Sequence, residues 1–383
     1  MRDRFDVLVV GAGVNGLATA WQLVRRGAGR IGLIDRFAIG HDRGSSHGPT
    51  RITRSTYADA RLVAAMVEAN ARDWPALEAA AGMPLRHPHP TLFFGPADGP
   101  IAAYAAAVAR VEGAAIDDIP PAAARAHANG WLRIGDGDRA LLDRSGAVIA
   151  AADVMRSLTR LVHAGGVEVV EATPVLAVGR QDEARGAVES ADGPVVVDTA
   201  AGALLADRVV VTAGPWIGRL LPELAGRLTP LRQTVAFLDV EGDAATAPNW
   251  VRVGYDGEPE VFGQPAFGHA GLKAAIHRQD GAPDDPDVAT PFDARSPAVA
   301  ELLSVIDRCL AAEVRGVLGG MTCFYTMTPD HAFVLGPLPD DPRIIVGAAC
   351  SGHAFKFAPR TGRVLAHLAM GERLQPDPAT PRT

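Results

Sequence analysis

The chain contains 383 residues, of which 48% are hydrophobic and 21% charged, a composition typical of a globular protein large enough for two packed domains. A net charge of -7 at pH 7 argues against a nucleic-acid partner. No uncharged apolar run approaches about 18 residues, and the N-terminal run is too short for a signal peptide, so we expect neither a membrane span nor secretion.

The first 35 residues predict a strand, a tight turn, a helix and a second strand. Residues 5–10 are apolar and rich in β-branched side chains, residues 14–26 have the apolar spacing of a helix, and residues 29–35 predict another strand. The crossover between two such parallel strands is expected to be right-handed. The sequence therefore begins with a βαβ unit typical of nucleotide-binding folds.

A glycine-rich turn joins the first strand to the first helix. Gly11, Gly13 and Gly16 have GxGxxG spacing, and Asp35 ends the second strand. The glycines allow a pyrophosphate to approach the helix N-terminus, where unpaired amides and the helix dipole attract an anion, and the acid accepts from a ribose hydroxyl. The motif predicts a dinucleotide site without choosing between NAD and FAD.

Helices dominate the next part of the chain, after a loop at residues 37–50 that is rich in Gly, Ser and His. Helical spacing of apolar residues recurs at residues 62–81, 102–115, 120–128 and 148–164. Residues 167–171 and 208–213 predict strands, with an antiparallel segment at 195–198, and the Gly-Pro-Trp sequence at 214–216 leads into another helix.

The segment from residue 231 to about 320 has a different pattern, with short alternating runs separated by loops rich in Asp, Gly and Pro. This pattern indicates an antiparallel sheet that forms one wall of a substrate site. Residues 343–348 then predict a buried strand and residues 359–368 a helix that closes the first domain. From residue 374 the chain is Pro-rich and is expected to be a frayed tail.

Two late features favour FAD over NAD. The strands at 208–213 and 343–348 return the chain to the nucleotide domain from distant positions, as in flavin enzymes with a split domain. The sequence SGHAFKF at 351–357 precedes the last helix, whose positive N-terminus would face the anionic N1/O2 edge of a reduced flavin. We expect an α/β fold in which a split FAD-binding Rossmann-like domain accompanies an antiparallel-sheet substrate domain. The predicted domains comprise residues 1–85, 140–228 and 322–383 for FAD, and residues 86–139 and 229–321 for substrate.

Four blocks of the sequence resemble the monomeric sarcosine oxidase and N-methyltryptophan oxidase family, which belongs to the D-amino-acid-oxidase-like FAD-dependent amine oxidases. They are the βαβ unit, GPTRITR at 48–54, GLK at 271–273 with its following histidine, and TCFYT at 322–326 with SGHAFKF at 351–357. The resemblance implies an oxidase of secondary amino acids, N-methyl or cyclic, that oxidises a C–N bond to an imine and reduces O2 to H2O2. It also implies a monomer whose partners are a small amino-acid substrate and O2.

The cysteines bear on both compartment and cofactor. Three cysteines without metal-type spacing argue against a disulfide framework and a metal site, and favour the reducing cytoplasm. The resemblance assigns Cys323 a covalent thioether to the flavin 8α carbon, and His47 and Arg51 match residues near the flavin that could supply the positive charge a thiolate needs. An ordinary buried cysteine is the alternative. We expect Cys309 and Cys350 to be core residues.

Only two of the 37 basic residues are lysines, and both lie in blocks that carry the resemblance. Lysine is the basic residue whose pKa shifts readily on burial. Lys273 matches a lysine over the flavin ring, where a cation stabilises reduced oxygen species, and Lys356 and Arg54 match the pair that holds the substrate carboxylate. The alternatives are a lysine whose stem lies along the domain surface and, for Arg54, a surface ion pair.

Three further residues complete the candidate site. His277 matches a histidine that faces the substrate, where a neutral imidazole could orient the amine, and a structural histidine is the alternative. Tyr325 either lines the same cavity or packs in the core. Gly352 lies in the segment expected to contact the flavin. Phe262 stands where the sarcosine enzymes have a tyrosine, which favours a larger N-alkyl or cyclic amino acid over sarcosine.

The sequence leaves two other functions open. A flavin-dependent dehydrogenase or biosynthetic imino-acid oxidase on the same fold would pass electrons to another acceptor or desaturate a cyclic substrate. A degenerate homologue would bind flavin in a structural role only. The presence of both lysines and of Cys323 argues against the degenerate homologue.

Overall fold

The computed structural model of the protein describes residues 4–180, 193–255, 257–348 and 351–372. The strands are β1 (Arg4–Val10), β2 (Ile31–Ile34), β3 (Thr50–Thr53), β4 (Arg86–Pro88), β5 (Thr91–Pro96), β6 (Ile116–Ile119), β7 (Asp138–Asp143), β8 (Ala147–Ala150), β9 (Glu168–Val170), β10 (Val175–Arg180), β11 (Val195–Thr199), β12 (Gly202–Val211), β13 (Thr229–Val240), β14 (Asn249–Arg252), β15 (Val261–Gln264), β16 (Leu272–Ile276), β17 (Val314–Met327), β18 (Val334–Pro337) and β19 (Ile344–Ala348). The helices are α1 (Val14–Arg25), α2 (Ala60–Glu68), α3 (Trp74–Ala81), α4 (Ile101–Val108), α5 (Pro121–Ala128), α6 (Ala151–Ala164), α7 (Ile217–Leu220), α8 (Pro297–Ile306) and α9 (Ala358–Ala369).

The first sheet contains the βαβ unit and has the strand order β10-β11-β12-β1-β2-β9. β1 pairs in parallel with β2 on one side and with β12 on the other. The first half of β12 pairs antiparallel with β11, and its last residues pair in parallel with β19. The late strand β19 therefore reaches the same sheet as the N-terminal unit, which is the predicted return of the chain.

Both faces of this sheet are buried. In β1, Val7 and Val9 pack into a core with α1, α6 and α9, whereas Leu8 and Val10 pack into a second core on the opposite face. Strands that are apolar on both faces are typical of parallel sheets covered by other elements. Burial on both faces explains why the sequence of β1 is a continuous apolar run. The strand ends at the glycine turn.

The second sheet has the strand order β17-β13-β16-β15-β14-β5-β7-β6, and its pairs are antiparallel except β14 with β5. One face packs with α8 and part of α5 into a separate core. The other face is directed at the first sheet's glycine turn and forms a cavity wall. The fold class predicted from the sequence is confirmed.

A small third sheet, β3-β8-β4, corrects one predicted element. The helix predicted at residues 148–164 begins at Ala151, because Val148 and Ile149 belong to β8 and pair with β3 and β4. Both side chains are buried and β-branched, which suits a central strand. The helix predicted at 102–115 is also shorter, since α4 ends at Val108.

The predicted domain limits stay a prediction. β7 and β17 both lie in the second sheet, and each crosses one predicted limit, at residues 139/140 and 321/322 respectively. Cys350 and the predicted tail from residue 374 lie outside the described residues. Among the helices that the structure describes, none has the length and apolarity needed to cross a lipid bilayer.

Candidate active site

A cavity of about 420 Å³ runs from the glycine turn after β1 to the inner face of the second sheet. Ligands of parallel α/β sheets bind beyond the carboxyl ends of the strands, which is where this turn lies. Most of the predicted site residues line the cavity: Gly11, Gly13, Asp35, Arg51, Arg54, Lys273, His277, Cys323, Tyr325, Gly352 and Lys356. Gly16 and His47 are not part of the lining.

The glycine turn at one end of the cavity requires its glycines for different reasons. A Cβ on Gly16 would lie 1.8 Å from the backbone oxygen of Gly11, so this residue permits the close contact between turn and helix. Gly13 directly precedes α1, whose first amides face the cavity end. Such a helix N-terminus favours an anion such as a pyrophosphate.

Asp35 braces the same turn. One carboxylate oxygen accepts from the amide of Ala12 at 2.7 Å, and the other accepts from the amide of Phe37 at 2.8 Å. Two carboxylate oxygens offer about four acceptor positions, so the side chain can still accept a hydroxyl from a ligand. The acid predicted to contact a ribose therefore also holds the glycine turn in place.

The wall opposite the turn is built by alternation along four antiparallel strands. Successive side chains of a strand point to opposite faces, so every second residue reaches the cavity. The residues that follow this alternation are Gln233 and Val235 on β13, Glu260, Phe262 and Gln264 along β15, Lys273, Ala275 and His277 along β16, and Met321, Cys323 and Tyr325 on β17, and Ile276, Phe324 and Thr326 line the cavity as well. Sequence reasoning missed Glu260 and Gln264, although both lie two residues from Phe262 and the same alternation could have found them.

Lys273 is buried in this wall, with 2% of its surface exposed, which excludes the alternative of a surface lysine. Its ammonium donates to the backbone oxygen of Thr50 at 2.7 Å and lies 3.2 Å from the Thr50 hydroxyl. Burial, and then the charge of Arg51, lower the pKa of Lys273 well below its usual value, while Cys323 acts in the opposite direction. Lys273 is therefore close enough to Cys323 for their charges to interact.

His47 lies next to the candidate cysteine with an uncharged ring. Burial, followed by the charge of Arg51, lowers the pKa of His47 to about 4, so the ring is neutral at physiological pH. Its Nε2 atom contacts the carbonyl of Thr322 at 2.9 Å, next to the cysteine. Burial of His47 disfavours the charged ring that was expected to support a thiolate at Cys323, and a role of His47 near the flavin stays a prediction.

Arg51 holds the loop that precedes it. Its guanidinium donates to the backbone oxygens of Ser45, His47 and Thr50 at 2.8–2.9 Å. The same group lies over the ring of Phe355, 5.3 Å from its centroid. Arg51 therefore lines the cavity as a fixed cation between the loop and the segment before α9.

Arg54 and Lys356 lie on the same aromatic ring. The guanidinium carbon of Arg54 is 4.4 Å from the centroid of Tyr57, and the Lys356 ammonium is 6.0 Å from it. Each residue is 8% exposed, which excludes a surface ion pair for Arg54. Arg54 also donates to the backbone oxygen of Thr56. The structure thus brings together two buried cations, from opposite ends of the chain, at one part of the cavity.

Asp143 positions the loop that follows Arg54, and sequence reasoning missed it. The carboxylate is fully buried and accepts from the backbone amides of Ser55, Thr56 and Ser145. It also accepts from the hydroxyls of Thr56 and Ser145. No motif marks this aspartate in the sequence, since two of its partners, Ser55 and Thr56, are 88 and 87 residues away in the chain.

His277 and Tyr325 form a hydrogen-bonded pair in the wall. The Nδ1 atom of His277 is 3.1 Å from the Tyr325 hydroxyl, and burial is the largest cause that lowers the pKa of His277 to about 4. Gly352 packs against both rings, because a Cβ there would lie 2.5 Å from His277 and 2.6 Å from Tyr325. Both residues line the cavity, so a neutral imidazole is available to orient a ligand.

We expect Gly352→Ala to lower kcat/KM about 10–100-fold while the protein keeps its fold, because the new methyl group displaces the His277–Tyr325 pair. Gly352 has φ +77°, so alanine also costs about 1–2 kcal/mol of backbone strain. Gly82→Ala is the matched control, since Gly82 has φ +72° and no atom within 4 Å of the added Cβ. Equal kinetics for the two variants would contradict this role of Gly352.

Comparisons with known proteins identify the family. A model of the DAO family, described as FAD dependent oxidoreductase, matches residues 6–368. A probable sarcosine oxidase of Arabidopsis thaliana is 31% identical over 96% of this chain and 88% of its own length, and a monomeric sarcosine oxidase of a Bacillus species is 29% identical over 98% and 96%. The structure of NikD, an amino acid oxidase essential for nikkomycin biosynthesis, shares the fold, with a TM-score of 0.81 at 24% identity over 99% of this chain and 98% of that one. The chain belongs to the DAO family of FAD-dependent oxidoreductases.

Proposed function

We propose that this chain is an oxidase of secondary amino acids, N-methyl or cyclic, which converts the C–N bond to an imine and reduces O2 to H2O2. The observation that carries the proposal is one cavity that joins the glycine turn to two separate groups of basic residues, the buried pair Arg54 and Lys356, and buried Lys273 with half-buried Arg51. Two relatives are named sarcosine oxidases, and sarcosine is an N-methyl amino acid.

The residues of the cavity fit FAD. Four buried polar atoms in the lining have no hydrogen-bond partner in the described part of the chain. They are Asn15 Oδ1 at the turn, Gln264 Nε2 and Thr326 Oγ1 on the wall, and His353 Nε2 before the last helix. Unpaired buried polar atoms are costly and therefore indicate a polar ligand. The glycine turn and Asp35 would hold the nucleotide, and Arg51 with residues 352–356 would hold the ring system. When bound, FAD would accept a hydride from the carbon next to the amine, and loss of the N–H proton would complete the imine.

The substrate end of the cavity supplies binding and orientation. Arg54 offers a guanidinium fork and Lys356 a point charge, a combination that suits a carboxylate. Tyr57 and Phe93 flank Arg54 and keep water from its faces. Neutral His277 can orient the substrate amine, so proximity and electrostatic placement carry most of the rate. Water then hydrolyses the imine.

A peroxide-coupled screen of N-methyl and cyclic amino acids tests the proposed function. We expect one equivalent of H2O2 per substrate consumed in air, with activity restricted to substrates that carry a carboxylate. Turnover with an artificial acceptor but without peroxide would favour the flavin-dependent dehydrogenase instead. Failure of every secondary amino acid to reduce the flavin under anaerobic conditions would contradict the proposal.

We also propose that the flavin is covalently attached through Cys323. The thiol is buried in the cavity wall and interacts with Lys273, a cation that favours the thiolate nucleophile. Cys309 lies in the separate core of the second sheet, where burial raises the pKa of its thiol to about 12. The two cysteines therefore offer a reactive candidate and a matched unreactive control.

We expect yellow colour to remain with acid-precipitated native protein and to appear in the supernatant of Cys323→Ser. The Cys309→Ala variant should behave like the native protein, because its thiol does not face the cavity. The measurement is flavin absorbance in the pellet and the supernatant after precipitation. Free flavin released by the native protein would refute the covalent link.

Three broader expectations are proposals as well. One relative is named monomeric sarcosine oxidase, and this name supports the proposal that the chain is a monomer. Sedimentation of the purified protein would test it. A cytoplasmic location rests on the use of three cysteines without a disulfide pattern. The discontinuous domain limits given above would be tested by limited proteolysis, with cleavage expected between the two large sheets.

A further inference from the structure

Glu260 places a carboxylate in the substrate part of the cavity. It directly precedes β15, and its side chain follows the same alternation that brings Phe262 and Gln264 to the cavity. Its backbone oxygen accepts from the amide of His277 at 2.7 Å, so the two residues lie side by side on neighbouring strands. The carboxylate therefore shares a cavity with the cations expected to bind the substrate.

The protein provides few partners for the negative charge of Glu260. Its carboxylate accepts from the Tyr104 hydroxyl at 3.3 Å, and within the described residues it forms no ion pair with an Arg, Lys or His side chain within 4 Å. The nearby Glu258, in contrast, pairs with Arg252 and with Arg308, each at 3.2 Å. A carboxylate partly removed from water is costly without a cation, so a ligand cation would stabilise Glu260.

Arg54 does not serve as that partner. Its charge is close enough to interact with Glu260, but its guanidinium is held by Thr56 and stacked between the rings of Tyr57 and Phe93. This geometry keeps Arg54 available for a substrate carboxylate. The substrate part of the cavity thus presents a binding place for an anion and, separately, one for a cation.

Glu260 lies further along the cavity wall than Lys273. In the pairing of β15 with β16, Gln264 lies opposite Lys273, whereas Glu260 lies four residues further along. Four residues of an extended strand span about 13 Å. Glu260 therefore lies at the level of His277, one strand away from the ring proposed to orient the amine, where a basic side chain of the substrate can reach its carboxylate.

We propose that Glu260 binds a second cationic group of the substrate, so that the preferred substrates are N-alkyl or cyclic amino acids with a basic side chain. This inference rests on the proposed oxidation of secondary amino acids and names the substrate class. The substrate carboxylate occupies Arg54 and Lys356, and the side-chain ammonium or guanidinium occupies Glu260. Acidic side chains are rejected by the carboxylate, and neutral ones leave it without a partner.

The test compares Nα-methyllysine with N-methylnorleucine, whose side chain has the same carbon skeleton without the ammonium. We expect the native enzyme to have the higher kcat/KM for Nα-methyllysine. In Glu260→Gln this preference should fall about 10–100-fold, which corresponds to the free energy of one hydrogen bond to a charged group. Glu258→Gln is the matched control, because Glu258 pairs with surface arginines and does not line the cavity, and its preference should stay native. Anaerobic flavin reduction at varied substrate concentration gives the dissociation constants, in which the same change is expected.

An unchanged preference in Glu260→Gln would overturn the inference. An equal loss for both substrates would also overturn it, because it would show that Glu260 acts on the common amine or only offsets the charge of Arg54 and Lys356. Either result leaves the proposed function intact, provided that N-methylnorleucine still reduces the flavin. If neither substrate reduces the flavin of the native protein, the inference is overturned, and the screen of other secondary amino acids decides the proposed function.

Discussion

Replacing Lys273 with methionine is expected to slow the reoxidation of the reduced flavin by oxygen about 10²–10³-fold, while anaerobic flavin reduction by substrate changes little. Reduction of oxygen creates negative charge, and Lys273 provides a buried cation fixed by Thr50 at that part of the cavity. Methionine has similar length without the charge. Stopped-flow absorbance with air-saturated buffer measures reoxidation, and mixing with substrate under argon measures reduction.

The pH dependence of reoxidation checks the same role. Burial and the charge of Arg51 lower the pKa of Lys273 well below its usual value, so the ammonium is present below that lowered pKa and is lost as the pH rises through it. We therefore expect the reoxidation rate of the native enzyme to fall on the alkaline side. The Lys273→Met variant should lack this fall. A native alkaline limb that persists in the variant would contradict the assignment.

Replacing Lys356 or Arg54 with methionine is expected to have the opposite effect, lowering kcat/KM for carboxylate substrates about 10²–10³-fold with little change in reoxidation. Both cations are buried beside Tyr57. The substrate carboxylate would therefore lose a charged partner that water cannot replace in a buried site. Arg54 offers two parallel donors and Lys356 one point charge, so the loss should be larger for Arg54→Met.

The control for the carboxylate clamp is a substrate without a carboxylate. N-methylalkylamines cannot use the pair, so the ratio of kcat/KM for an N-methyl amino acid to that for its decarboxylated amine should fall in both variants. Retained flavin absorbance and an unchanged melting temperature would show that the fold is intact. Native kinetics in Lys356→Met would refute its role in the clamp, and equal defects of the two lysine variants in both half-reactions would refute the division between Lys273 and Lys356.

Much of the fold was predictable because it depends on local patterns. The apolar run of β1, the glycine spacing after it and the helical spacing of α1 each occur within a few residues. The same local reasoning failed at β8, where Val148 and Ile149 continue a helical pattern but pair with β3 and β4. Strand partners from residues 50–53 and 86–88 decide that choice, and their proximity cannot be recognised from a short window of sequence.

The sequence by itself determined the βαβ unit, the return of a late strand to it, and the residue types around Lys273, Cys323 and Lys356. Only the tertiary structure decided the partners of those residues and the lowered pKa of Lys273. His47 is neutral because it is buried, and Lys273 is held by Thr50, which is 223 residues away in the chain. Glu260 and Asp143 were missed for the same physical reason. Desolvation and charge act over a few ångströms in space, and the sheets bring together residues that are distant in sequence.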